Sequence, residues 1–126
     1  MADHSRWRIP AEIGVLLDNE LANARTSDDP WPPLERAHLL SQPWAWPHVR
    51  VHLAMLRIAI TQRDRREFIG QVLRLAVAGP GSLAGKYPAG NTGRTTMGLT
   101  ETATLPDDIA TTLAPHIAST LKGGPR

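Results

Sequence analysis

Two proline-rich interruptions set the scale on which this chain can fold. "DDPWPP" spans 28–33 and "PWAWP" spans 43–47, with only "LERAHLLSQ" between them. Proline has no N–H to donate and clashes with the preceding helical turn, so neither interruption fits a helix interior or a central strand. It does suit the first turn of a helix. Pro33 therefore reads as the opening of a second helix, and Pro47 as the opening of a third from His48 to about Gln62. Before them, Ile9, Ile13, Leu16, Leu17, Leu21 and Ala24 recur with helical period, and Pro10 suits that helix's first turn. After them, "DRRE", 64–67, has the form of a capping box. It opens a fourth helix with Phe68, Val72, Leu75 and Ala76 on one face, ending at "GPG", 79–81.

From there the texture changes. The stretch from about 80 to 106 is rich in Gly, Pro and Thr and has no period. It is long for a plain connection, so it reads as functional, as a wrap over the helices or as partly disordered. A last helix is expected over about 107–121, with Ile109, Leu113, Ile117 and Leu121 at four-residue steps and Pro115 expected to kink or break it. No strong strand signal appears. The expected fold is all-α and a single domain over 1–126. Stacked helical hairpins over about 9–79 form a compact bundle of four to five short helices. The Gly/Pro/Thr-rich segment covers them, and the C-terminal helix follows.

Several function classes are excluded or weakened. There is no cysteine, so no thiolate metal site, Cys nucleophile or disulfide framework exists. The start "MADHSRWRIP" has no apolar core, and no apolar run approaches about eighteen residues. The chain is therefore expected to be soluble and cytoplasmic, with no membrane partner. A net charge of +2 argues weakly for nucleic acid, and none is expected as a partner. "GPGSLAGK" fails as a phosphate loop, because the glycine spacing is wrong and Tyr87 follows Lys86 where Ser or Thr should stand. No serine sits in a nucleophile-elbow context.

The informative cluster is histidine. Three of the five histidines, His38, His48 and His52, lie within fifteen residues around the Pro-Trp turn. An α-helix turns about 100° per residue. On the third helix Arg50, Arg57 and Thr61 share one side, and His48 and His52 lie opposite, pointing inward. The rest of that helix is so apolar that it is expected to be buried nearly all round. On the second helix Glu35, His38 and Gln42 form one strip. Folding the two helices back about Ala45 brings His38 level with His52 and Gln42 level with His48. On the first helix Glu20 falls within the apolar stripe, where a carboxylate rarely stays unpaired.

Glu20, Glu35, His38, His48 and His52 are therefore the candidate metal ligands. Carboxylate and imidazole without thiolate suit zinc or iron best, with manganese or nickel also compatible. If "GNTG", 90–93, folds over the bundle, then Lys86, Tyr87 and Asn91, with Gln42, are placed to meet a small-molecule ligand. The expected function is a small metal-binding helical protein, as an enzyme if the ion activates water or dioxygen. The alternatives are a non-catalytic helical-hairpin interaction module with a structural His–Glu network, and a metal-handling accessory protein. A homodimer is compatible with any of them.

"LERAHLLSQ", "PHVRVHLAMLR", "RDRREFIGQVLRL" and "PAGNTG", in that order, resemble a family of small bacterial proteins known only as a domain of unknown function. "NELANAR" fits that family's first helix. The resemblance covers roughly Glu20 to Gly93. It implies no activity, only that Glu20, Glu35, His38, His48, His52 and Asn91 stand at the family's motif positions.

Overall fold

The computed structural model describes residues 6–122, with side chains described to residue 117. Five helices follow in order: α1 (Ala11–Thr26), α2 (Trp31–Ser41), α3 (Ala45–Thr61), α4 (Arg65–Leu83) and α5 (Asp107–Lys122). No strand occurs among the described residues. No described helix is long and apolar enough to cross a membrane. Proline opens α2 and sits in the first turn of α3, and Asp64 caps α4 by accepting from the Glu67 N–H at 3.0 Å.

Two apolar clusters meet on α2. One joins Leu17 and Leu21 of α1 to Leu34 and Ala37 of α2 and to Val51 and Met55 of α3. The other joins Ile13 of α1, Leu39 and Leu40 of α2, Trp44, and Ile109 and Leu113 of α5. The helix enclosed on nearly all sides is thus α2, rather than α3. Leu53 and Ile60 of α3 are 46% and 58% exposed.

The fourth helix departs most from expectation. Phe68 and Val72, expected inside, are exposed, together with Ile69, Leu73 and Val77. The buried face carries Glu67, Gln71, Arg74 and Ser82. The reason is the irregular segment 84–106. Main chain that runs over a core without secondary structure must still find hydrogen-bond partners. α4 supplies them. Arg74 donates to the carbonyls of Arg94 and Met97, Gln71 donates to the Gly93 carbonyl, and Glu67 accepts from the Thr95 N–H. Leucines there would leave those groups unpaired.

α4 also continues through the glycines expected to end it. Pro80 is exposed, and so is Ala76, whose carbonyl loses its N–H partner to the proline. A Cβ at Gly81 would lie 2.8 Å from the Lys86 carbonyl oxygen, so only glycine lets the chain double back there. The extra turn brings Ser82 to the core. Pro115 likewise sits exposed within α5, which is not broken by it.

Candidate metal centre

His38 projects from the C-terminal half of α2, and His48 and His52 lie one turn apart on α3. All three are buried. Their Nε2 atoms form a small triangle. His38 lies 3.0 Å from His52 and 3.0 Å from His48, and His48 lies 3.2 Å from His52.

The outer nitrogens decide where the protons are. His38 Nδ1 lies 2.7 Å from the main-chain oxygen of Asn91, which can only accept. His52 Nδ1 lies 2.7 Å from Gln71 Oε1. That amide cannot be turned round, because its nitrogen already donates to Glu67 and to the Gly93 carbonyl. His48 Nδ1 lies 2.8 Å from Ser82 Oγ, whose single hydrogen goes to the Gln42 carbonyl. Each ring therefore donates from Nδ1. In the neutral ring the lone pair is on Nε2, so three lone pairs face one another.

Protonation does not relieve this at neutral pH. Burial, followed by the neighbouring imidazoles His52 and His48, holds His38 well below the usual histidine range. Burial and the proximity of His52 push His48 down to about 3. Burial likewise lowers His52 to about 4, although its bond to Gln71 works in the opposite direction. The folded values lie below the unfolded one, so between about pH 6.5 and about 4 the unfolded chain binds more protons. Stability of the metal-free protein is therefore full above pH about 6.5. It should fall as the pH falls, by up to about 1.4 kcal/mol per pH unit for each histidine. Denaturant midpoints at pH 7.5 and 5.0 check this, and equal midpoints would contradict neutral imidazoles.

No carboxylate joins the triangle: among the described residues, the group able to share one ion is His38, His48 and His52. Glu20, expected to face the histidines, accepts from Arg36 Nε at 3.2 Å and is partly exposed. Arg36 and His38 are two residues apart on α2, about 200° around the helix. Glu20 is thus held on the far side of α2 by a cation that also binds Asp108. Glu35 lies a turn before His38 and meets Arg94 at 3.9 Å. Burial raises its carboxyl above the usual range, while Arg94 acts in the opposite direction.

The ligand-facing residues fare differently. A cavity of about 230 Å³ borders the three rings and is also lined by Gln42, Arg74, Lys86, Tyr87 and Asn91. Its remaining walls, including Val77 and Leu99, are largely apolar. The Gln42 amide nitrogen donates to the Pro88 carbonyl. Asn91, expected to present its side chain, uses it to fasten its own loop. It donates to the carbonyls of Gly98 and Glu101 and accepts from the Gly93 N–H. What reaches the site is its main-chain oxygen. A larger cleft of about 340 Å³ between α1, α2 and α3 contains no metal-ligating group.

Gln71, Ser82, Glu67 and Arg94 were not legible as site residues. For the three on α4 the signal was the polar spacing Glu67, Gln71, Arg74 and Ser82, which the apolar face of the same helix obscured, and Arg94 carried no such signal.

Fold and site together define a small helical protein whose core encloses three inward-facing imidazoles that could hold a metal ion. The family model described as "Protein of unknown function (DUF3703)" matches residues 15–113, and the chain belongs to that family. No curated protein and no solved structure matches it.

Proposed function

We propose that this protein binds one divalent transition-metal ion through the Nε2 atoms of His38, His48 and His52. The observation that carries the reading is the hydrogen bonding behind the rings. Three acceptors fix three Nδ1 protons, so three lone pairs converge within 3.2 Å in a buried site. Such an arrangement is unfavourable unless a cation accepts the lone pairs. Outer partners that fix tautomer and orientation are the usual companions of metal-binding histidines.

Zinc is the best match. Tetrahedral zinc at about 2.1 Å from each nitrogen needs nitrogens roughly 3.4 Å apart, a few tenths of an ångström more than those present. The two-histidine, one-carboxylate arrangement typical of non-haem iron lacks its carboxylate here. The cavity beside the rings favours an open coordination position over a closed structural ion. This supports a metal-dependent enzyme in which the ion activates a bound water or polarises a carbonyl.

Equilibrium dialysis of untagged protein against zinc tests the reading. The parent and Glu20→Gln should each hold one ion per chain. His48→Ala should bind at least about a hundredfold more weakly, since loss of an outer partner alone costs 10–100-fold. A parent that retains neither zinc nor cobalt would replace the metal centre with a structural polar network.

A further inference from the structure

Apart from Lys86, the charges around the triangle pair off without reference to an ion. Glu67 binds Arg94 at 2.9 Å, Glu35 faces the same guanidinium, and Arg74 feels the Glu67 charge. All three prospective ligands are neutral. A divalent ion held by them would carry its full charge into a buried site, where uncompensated charge is costly. The triangle is also too small for an ion bonded at about 2.1 Å to lie within its plane. All three nitrogens would stand on one side of the ion and leave the other side open.

The surrounding cavity has a consistent character. Lys86 and Arg74 are the cations that line it, and Val77, Pro88 and Leu99 provide apolar wall. No carboxylate lines it. We propose that the fourth ligand of the bound ion comes from outside the protein and is the carboxylate of a small organic acid. Its anionic end would lie on the metal near Lys86, and its carbon chain against Val77 and Leu99. This inference rests on the metal reading. It adds that the site selects a negatively charged, partly apolar partner. With about 230 Å³ available, that partner is smaller than most drug-sized ligands.

The visible spectrum of the cobalt-substituted protein provides the test, because its bands respond to the number and type of ligands. Titration with azide, acetate and butyrate should shift the bands saturably. Butyrate should bind more than about tenfold tighter than acetate if its two extra methylenes are buried. Lys86→Ala, at an exposed position, should weaken acetate binding about five- to tenfold with cobalt still bound one to one. Cobalt bound one to one with bands that no anion moves would overturn the inference while leaving the metal centre standing. Equal acetate and butyrate affinities, or no effect of Lys86→Ala, would overturn the assigned carboxylate pocket. A parent that binds no cobalt removes the metal reading itself.

Discussion

Zinc added to metal-free protein at pH 7.5 is expected to raise its melting temperature by roughly 10–20 °C. Binding to the folded state alone stabilises it by about 4 kcal/mol when free zinc exceeds the dissociation constant a thousandfold. In a chain of this length each kcal/mol moves the midpoint by about 3–5 °C. The unfolded chain cannot offer the same site, because His38 reaches His48 and His52 only when α2 is folded back on α3. His38→Ala, His48→Ala and His52→Ala should each abolish the shift. A chelator should return the parent to its starting value. His116, which lies on Glu12 at 2.6 Å, serves as the control: His116→Ala should keep the full shift. A parent whose melting temperature ignores both zinc and chelator would remove the ion from the account.

The second large effect is expected at a position with no metal-binding atom. Gly93 has φ +86°, and a Cβ there would lie 2.6 Å from Cδ2 and 2.7 Å from Cγ of His38. Gly93→Ala must therefore displace the ring or the loop, and it strains the backbone as well. The backbone alone should cost about 1–3 kcal/mol. Displacement of the ring should lower zinc affinity by about 10–100-fold, as loss of a ligand's supporting contact does. Gly98→Ala is the matched control, since its Cβ would meet Glu101 at an ordinary 3.7 Å. Zinc titrations of the two variants separate the possibilities, and equal affinities would show that Gly93 does not position His38.

The inward histidines were legible because one helical repeat and one antiparallel turn place them. His48 and His52 lie opposite the arginines of α3, and His38 lies as far before the turn as His52 lies after it. Glu20 misled because a carboxylate among apolar residues signals a partner but not which one. Arg36, on the opposite side of α2 from His38, was nearer. The polarity of α4 was illegible for a deeper reason. Periodicity assumes that the apolar face is the buried one, whereas here the buried face was selected by unpaired carbonyls of a segment far along the chain. The GNTG turn showed where the chain would bend. It could not show that the functional atom would be a main-chain oxygen, which every residue possesses.

The fixed Nδ1 protons carry a consequence for the heat of metal binding. A histidine that titrates near pH 6.5 normally surrenders part of a proton when it takes up an ion at neutral pH, and the buffer absorbs it. Here His48 and His52 titrate at about 3 and about 4, and each lone pair already faces inward. The ligating Nε2 atoms have no proton to surrender. Calorimetric enthalpies of zinc binding at pH 6 should therefore be the same in buffers of widely different ionisation heat. In the absence of an organic acid, any proton that does appear as the pH rises would have to leave a water at the open position of the ion, so the calorimeter would read the acidity of that water directly.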